Sequence, residues 1–332
     1  MKLTWQIIRL NFKNNFTISY GSYPFRKAMI LTLEHKNFKG FGECTIIDYY
    51  NISDEMLLFQ ISSIQNQIEN SQITTPQDFY IFLKMLNIST FLCSALDCAY
   101  WDLYGKLFNK NFFELTNLNL ASTPNSSITI SVAPIKEQLA EIEKLNWSSY
   151  KVKCQTFNKK DLLQLQQLKV PIAIDANASF TFSDCEELNQ VNASNPFKYI
   201  EQPLKVGSQN YKKLSNLDTS NWMADEDFQY DTNLFDLKSY YKSINIKLLK
   251  CGGITPAIQI IKSAKKMGFK VMIGCMTEST IGISAAVVLS PLCDFADLDG
   301  ANLIANDLAI GSFVENGKIE ISQKPGLGIE LI

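Results

Sequence analysis

The pattern of hydrophobic and polar residues changes at about residue 125. Residues 1 to about 55 predict strands and turns, because "MILTLEH" alternates apolar and polar positions and "NFKG" interrupts the pattern before "FGEC". Two longer segments then carry apolar residues three and four positions apart and predict helices: "DEMLLFQISSIQNQIEN" and "FLCSALDCAYWDLYGKLF". Residues 1–125 are therefore expected to form an α+β unit.

Eight short strand-like runs follow from residue 126, and they begin roughly every 20 to 28 residues. They are "SITISV", "YKVKC", "PIAIDA", "YIEQP", "NWMAD", "INIKLL", "KVMIGC" and "CDFADLDG". Segments with helical spacing, such as "IKEQLAEIEKL" and "AIQIIKSAKKMG", lie between them. Strands that alternate with helices favour a parallel β/α barrel over an open doubly wound sheet. The glycine-rich motifs of nucleotide-binding sheets follow none of these runs.

Composition excludes several classes of function. The 332 residues carry a formal net charge of −2 without a long basic run, so the electrostatic pattern of a nucleic-acid-binding protein is missing. The opening "MKLTWQIIRLNFKNNF" is too polar for a signal peptide. No apolar run reaches the roughly 18 residues that a membrane span needs. We therefore predict a cytoplasmic protein without nucleic-acid or membrane partners.

Cysteine and histidine usage limits the chemistry further. The eight cysteines are scattered, form no Cys-x-x-Cys pair and have no secretory context, so they are predicted to be reduced thiols of the core. His35 is the only histidine, which makes a zinc site improbable. It also removes the commonest general base from most of the chain.

Charged residues stand at the carboxyl ends of the predicted barrel strands. In a β/α barrel these ends meet at one face, where active sites lie. One such charge could simply cap a strand, but the same placement on six strands favours a functional site. The residues are Lys151 and Lys153 (strand two), Asp175, Glu201, Asp225 and Lys247 (strands three to six), and Asp297 and Asp299 (strand eight).

Three of these acids, Asp175, Glu201 and Asp225, lie on consecutive strands. An all-oxygen set without histidine or cysteine suits a hard cation, and Mg²⁺ more naturally than zinc. Without a cation, three buried anions would repel one another and lose their hydration. The sequence therefore predicts one Mg²⁺ per subunit.

Two lysines of strand two face the same side, because Lys151 and Lys153 are two residues apart in "YKVKC". A second ammonium and a nearby divalent cation both disfavour protonation of Lys153, which favours Lys153 as a base. Lys151 stays charged and can bind a substrate carboxylate. Lys247 lies four strands further around the ring, and two bases on opposite sides of one carbon can invert its configuration.

The motifs at the strand ends together resemble the dipeptide epimerases of the muconate lactonising enzyme subgroup in the enolase superfamily. They are "KVK" at 151–153, "DAN" at 175–177, "EQP" at 201–203, "ADE" at 224–226, "NIKLLKCGGI" at 245–254, "GCMTES" at 274–279 and "DLDG" at 297–300. The resemblance implies a modified (β/α)₇β TIM-type barrel over residues 126–300. It also implies an α+β capping domain of residues 1–125 with the C-terminal segment 301–332.

The resemblance also implies roles for individual residues. Asp175, Glu201 and Asp225 would bind Mg²⁺, and Lys153 and Lys247 would transfer protons through an enediolate, the known chemistry of this superfamily. Lys151 would contact the substrate carboxylate. Lys250 competes for the role on strand six, but odd spacing is expected to turn it away from Lys247. Further substrate contacts are predicted at Thr129, Cys275, Asp297 and Asp299.

Asp297 and Asp299 match acids that receive the substrate's free α-ammonium in dipeptide epimerases, a role that suits acids at the far side of the site from the metal. Lactonising enzymes and o-succinylbenzoate synthases share the lysine pair but bind no ammonium. The mandelate racemase subgroup needs a histidine late in the barrel, and none follows His35.

The expected reaction is epimerisation of the C-terminal residue of a dipeptide, with interconversion of L-Ala-D-Glu and L-Ala-L-Glu in murein peptide metabolism preferred. Family members that accept glutamate can use an arginine in an early capping loop. In "SYGSYPFRK", Gly21 stands near that place and Arg26 or Lys27 could substitute. An o-succinylbenzoate synthase-type elimination, a non-catalytic ligand-binding barrel and a homo-oligomeric state remain open.

Overall fold

An antiparallel sheet of three strands begins the chain in the computed structural model, which describes residues 1–19, 21–120 and 122–332. Its strands are β1 (Lys2–Ile18), β2 (Gly21–His35) and β3 (Phe38–Thr45), in that order. Lys36 and Asn37 join β2 to β3 with positive φ at both positions, which suits a tight two-residue hairpin. The predicted "MILTLEH" strand lies in β2.

Four helices follow this sheet: α1 (Asp54–Glu69), α2 (Pro76–Lys84), α3 (Thr90–Phe108) and α4 (Phe112–Thr116). Helices α1 and α3 pack on the sheet, and α2 and α4 pack on α3. Each begins after a Ser, Thr or Asn whose side-chain oxygen accepts a backbone N–H of the first turn. Helix α3 lies so close to β3 that a Cβ at Gly42 would stand 1.9 Å from the carbonyl oxygen of Ala95. Only glycine permits that approach.

Eight parallel strands form the second sheet, arranged in chain order: β4 (Ile128–Ile130), β5 (Tyr150–Lys153), β6 (Ile172–Asp175), β7 (Ile200–Glu201), β8 (Trp222–Ala224), β9 (Ser243–Lys247), β10 (Lys270–Gly274) and β11 (Phe295–Asp297). The backbone N–H of Ser127 donates to the carbonyl of Ala296 at 3.0 Å and brings the first and last strands together. The predicted barrel with an α+β cap is confirmed, and each predicted run overlaps one strand.

The barrel helices are α5 (Ile135–Leu145), α6 (Lys159–Leu165), α7 (Phe182–Asn192), α8 (Leu234–Lys238), α9 (Leu248–Cys251), α10 (Ile254–Lys266) and α11 (Thr280–Val287). A 3₁₀ helix at Gln209–Asn216 replaces an α-helix between β7 and β8. The sequence pattern missed α11, because every residue of "TIGISAAV" is buried and no polar face marks its period.

The C-terminal segment forms short strands: β12 (Ala309–Ile310), β13 (Phe313–Glu315), β14 (Lys318–Glu320) and β15 (Glu330–Leu331). Buried Asp102 of α3 links this segment to the cap, since its carboxylate accepts the N–H groups of Leu327 and Phe41. The predicted domain limits at residues 125 and 300 stay a prediction.

The barrel interior is filled below its functional end. Ala173, Met223 and Phe295 each lie two positions before a strand-end acid and pack together with Tyr199 and Met272. Alternation therefore turns the strand-end residues inward as well. All eight cysteines are free, and seven are buried, as predicted. In the described part of the chain no helix is long and apolar enough to cross a membrane.

Candidate active site

A pocket opens at the carboxyl ends of the barrel strands, beneath the capping domain. The barrel lines it with residues that include Thr129, Lys151, Lys153, Asn177, Asp225, Glu226, Lys247, Cys275, Met276, Thr277, Asp297 and Asp299. The cap contributes Phe16, Ile18, Arg26, Ile47, Tyr49 and Tyr50. All five predicted substrate contacts and both predicted bases therefore lie in one pocket.

Lys153 and Lys247 reach this pocket from strands β5 and β9, which are four positions apart in the eight-stranded sheet. The Lys153 ammonium lies 2.5 Å from Asp175 Oδ2. The Lys247 ammonium lies 2.8 Å from Asp225 Oδ2. Both lysines are less than a tenth exposed, so each is a buried amine with one carboxylate partner. The two amines stand on different sides of the pocket, as two-sided proton transfer requires.

Lys151 stands among three acids. Its Nζ donates to Asp297 Oδ2 and lies 3.3 Å from Glu201 Oε2 and 3.6 Å from Asp175 Oδ2. Burial lowers the pKa of Lys151, but these carboxylates outweigh burial and raise the pKa well above its usual value. Lys151 is therefore a fixed positive charge of the pocket, and its role as a carboxylate-binding group stays a prediction.

The three predicted metal ligands lie at neighbouring strand ends, but the pKa values of Glu201 and Asp225 shift in opposite directions. Burial, and next the charge of Asp175, raise the pKa of Glu201 to about 8. Burial also acts to raise the pKa of Asp225, yet Lys247 and Lys250 hold it well below its usual range. The ammonium groups therefore stabilise the charge of Asp225 much better than that of Glu201.

The donor chemistry of these acids fits a hard divalent cation. The Asn245 side-chain amide donates to Glu201 Oε1 at 2.7 Å, while Glu201 Oε2 accepts no hydrogen bond from the described residues. As placed, however, no three acid, cysteine or histidine side chains among residues 1–19, 21–120 and 122–332 are arranged to hold a metal. Asp175 and Glu201 lie behind Lys153 and Lys151 and do not line the pocket. Binding a cation would require these ammonium groups to move aside.

Asp297 and Asp299 form an acidic wall beside β4. Asp299 Oδ2 accepts the backbone N–H of Thr129 at 2.6 Å. Asp297 Oδ1 is buried and has no hydrogen-bond partner among the described residues, so one acceptor remains for a cationic group. The expectation of a place far from the metal ligands is wrong for Asp297, because Lys151 contacts both Asp297 and Glu201. Closure of the ring places strand eight near strand two.

Comparison with known proteins supports one family. Residues 136–332 match the family model "Enolase C-terminal domain-like". An L-Ala-D/L-amino acid epimerase from Flavobacterium johnsoniae is 34% identical, and the alignment covers 100% of both chains. The chain belongs to the enolase superfamily. The L-Ala-D/L-Glu epimerase of Escherichia coli is 31% identical over 88% of this chain and 91% of its own.

The fold of this enolase superfamily member also matches a solved structure. The dipeptide epimerase from Methylococcus capsulatus, complexed with Mg and the dipeptide L-Arg-D-Lys, gives a TM-score of 0.90 at 23% identity, with 99% of each chain covered. Because relatives named as epimerases align with essentially its whole length, this superfamily member is an isomerase of the racemase and epimerase type.

Lys250 does not face away from Lys247, and that prediction is wrong. Strand β9 ends at Lys247 and α9 begins at Leu248, so strand alternation no longer applies. Lys250 Nζ lies 2.5 Å from Asp225 Oδ1 and also donates to the carbonyls of Asp225 and Phe228. Both lysines thus share Asp225, but only Lys247 lines the pocket of this superfamily member.

Sequence reasoning left the choice between Arg26 and Lys27 open, and the fold separates them. Arg26 is buried in the pocket, where its Nε donates to Thr277 Oγ1 at 3.1 Å. Lys27 points outward and pairs with Asp54 at 2.6 Å. Sequence reasoning also missed Glu226, another pocket acid, although it directly follows Asp225 in "ADE". Burial, and next Asp225, raise the pKa of Glu226 to about 7.

Proposed function

We propose that this isomerase is an Mg²⁺-dependent dipeptide epimerase that inverts the α-carbon of the C-terminal residue. The observation that carries the proposal is the pair of buried lysines, Lys153 and Lys247, which reach one pocket from strands four apart. An α-proton removed by one amine can be replaced from the other side by the second, which inverts the carbon. The epimerase names of the relatives support this chemistry.

The remaining charges fit a dipeptide bound between the lysines. The Lys151 ammonium would bind the substrate carboxylate and stabilise the negative charge that develops there when the α-proton leaves. When held by Asp175, Glu201 and Asp225, Mg²⁺ would add positive charge at the same carboxylate. The free oxygen of Asp297 would accept the α-ammonium. This acceptor favours a dipeptide over the ammonium-free substrates of elimination chemistry.

We propose L-Ala-D-Glu and L-Ala-L-Glu as the preferred pair, as in murein peptide metabolism. Arg26 supports an acidic side chain, because it is a buried cation of the pocket and no carboxylate among the described residues pairs with it. The Arg26 guanidinium lies over the Tyr23 ring, 4.6 Å from its centroid, and this contact holds the group in place. A carboxylate ligand would complete the pairing of this charge.

The ammonium assignment gives the first test. In D₂O, the wild-type enzyme should exchange and invert the α-position of L-Ala-D-Glu, whereas the N-acetylated dipeptide should be a poor substrate. Asp297→Asn should lower kcat/KM for the free dipeptide about 30- to 1000-fold, because a cation left imperfectly paired in a closed site costs roughly 2 to 4 kcal/mol. Mass spectrometry of the α-position measures both effects.

Two results would contradict this assignment. Equal turnover of the free and acetylated dipeptides by wild type would remove the role of Asp297 and favour elimination chemistry. Asp297→Asn should also discriminate much less than wild type between the two dipeptides, so unchanged discrimination would place the ammonium elsewhere.

Arg26 and its neighbour Lys27 provide a matched pair for the side-chain assignment. Arg26→Met should lower kcat/KM for L-Ala-D-Glu about 10- to 100-fold, the range expected for one buried charge-assisted pair. Turnover of uncharged L-Ala-D-Met should be kept. Lys27→Met, which removes an exposed charge outside the pocket, should leave both substrates unaffected. If Arg26→Met lowered kcat/KM equally for both substrates, Arg26 would not recognise the substrate side chain.

A further inference from the structure

We propose that Glu43, a residue of the cap outside the pocket, is a positioning residue for the end of the site that reads the substrate side chain. It would act through the loop 275–279, which joins β10 to α11. The inference rests on the proposed function, because it assigns Arg26 and Thr277 to that end of the pocket. It adds a residue that touches neither substrate nor metal.

The loop 275–279 is part of the pocket wall. It supplies Cys275, Met276 and Thr277 to the lining, and Thr277 holds the Arg26 side chain. The opposite side of the loop packs on backbone: a Cβ at Gly300 would stand 2.8 Å from the Met276 carbonyl oxygen. Gly300 directly follows Asp299. A shift of this loop would therefore move Thr277, at the end that binds the substrate side chain, and Asp299, at the end that binds the substrate ammonium.

Glu43 ties the end of this loop to the cap sheet. Its carboxylate accepts the N–H of Ser279 at 3.0 and 3.1 Å, the hydroxyl of the same serine, and the N–H of Gly282 at 3.2 Å. It is buried, and no lysine or arginine of the described chain forms an ion pair with it. A buried carboxylate that accepts hydrogen bonds from the first turn of α11 fixes the position of the helix start and of the loop end that precedes it.

The cap therefore holds one barrel loop at two points. Strand β2 contributes Arg26, which donates to Thr277, and the adjacent strand β3 contributes Glu43, which accepts from Ser279. The two strands are paired in fixed register, with Ile30 opposite Glu43. If Glu43 releases Ser279, Thr277 loses its fixed place relative to β2, and the Arg26 guanidinium loses its orientation toward the pocket.

Asp307 offers a matched control for helix capping alone. It accepts the backbone N–H of Thr280 at 3.1 and 3.2 Å and its hydroxyl at 2.7 Å, on the same first turn of α11. It comes from the C-terminal segment and does not line the pocket. Loss of either acid should weaken the start of α11, but only loss of Glu43 should disturb the contact between Thr277 and Arg26.

The experiment compares Glu43→Ala with Asp307→Ala on L-Ala-D-Glu and L-Ala-D-Met. In Glu43→Ala we expect KM for L-Ala-D-Glu to rise about tenfold, as for a residue coupled through one contact, with a smaller change in kcat. The preference for L-Ala-D-Glu over L-Ala-D-Met should fall by a similar factor. Asp307→Ala should lower Tm and keep that preference. In the Arg26→Met background, Glu43→Ala should reduce the preference no further.

Hydrogen exchange provides a readout that does not depend on the substrate. The amides of Ser279 and Gly282 should exchange faster in Glu43→Ala, whereas Asp307→Ala should affect Thr280 first. Glu43→Gln, which keeps one acceptor for Ser279, should restore part of the preference and serves if the alanine variant does not fold.

The outcomes separate the two proposals. A wild-type enzyme without preference for the acidic substrate refutes the proposed side-chain specificity. If that preference exists but Glu43→Ala and Glu43→Gln both leave it unchanged, Glu43 is only a helix cap and the inference is wrong. Unchanged exchange at Ser279 in a folded Glu43→Ala enzyme would refute the inference as well.

Discussion

Replacing either Lys153 or Lys247 with alanine is expected to stop epimerisation while one-sided proton exchange survives. Each variant removes the amine on one side of the α-carbon, but the other amine still reaches its own side from the opposite part of the barrel. We expect the epimerisation rate to fall about 10²- to 10⁴-fold, the usual contribution of a general acid or base. Deuterium uptake from D₂O, measured separately for L-Ala-D-Glu and L-Ala-L-Glu, reports the remaining base.

The two lysine variants control for each other. Each variant should still exchange the α-proton of one epimer and not of the other, and the retained epimer should differ between the two variants. Retained exchange also demonstrates a folded site. Lys247→Ala leaves Asp225 paired with Lys250, and Lys153→Ala leaves Asp175 near Lys151, so both buried acids keep a cation close by. Epimerisation at the wild-type rate in either variant would refute the two-base assignment.

Glu201→Gln is expected to abolish Mg²⁺ binding without loss of the fold. Glutamine has the same shape, and its carbonyl oxygen can still accept the Asn245 amide. Burial raises the pKa of Glu201 to about 8 when no cation is bound, so a neutral glutamine suits the same buried position. We expect Mg²⁺ affinity to fall by more than about 100-fold, because loss of even outer contacts of a metal ligand costs about 10- to 100-fold. Titration calorimetry measures affinity, and circular dichroism measures the fold.

Glu226→Gln is the matched control for this variant. Glu226 is a half-buried acid of the pocket and not a predicted ligand, so its variant should bind Mg²⁺ much more tightly than Glu201→Gln. Chelation of wild type should abolish turnover, and added Mg²⁺ should restore it. Full turnover by chelated enzyme, or unchanged Mg²⁺ affinity in Glu201→Gln, would disprove the metal site.

Both predictions depend on the lysines changing partners. In the structure, Lys153 and Lys247 each lie within 2.8 Å of a predicted metal ligand. These contacts offset the mutual repulsion and the lost hydration of three clustered carboxylates in a buried site. A bound divalent cation would stabilise the carboxylates in place of the lysines and leave the two amines available for proton transfer.

The sequence alone determined the barrel and the residues at its functional end. Strand and helix periods are local properties, and side-chain alternation is local as well, so "YKVKC" is enough to place Lys151 and Lys153 on the same side. The order of parallel strands then brings Asp175, Glu201, Asp225 and Lys247 to one end of the barrel, because all carboxyl ends of the strands point the same way.

Only the tertiary structure decided which of these groups touch. Lys250 joins Asp225 because the strand ends at Lys247, and that boundary depends on the packing of α9. Lys151 reaches Asp297 because ring closure brings strand eight beside strand one, whose other neighbour is strand two. Arg26 enters the pocket and Lys27 does not because the cap lies over the barrel, and Glu43 meets Ser279 for the same reason. Contacts between side chains distant in sequence are set by closure of the barrel and by the packing of the cap on it, and periodicity carries no information about either.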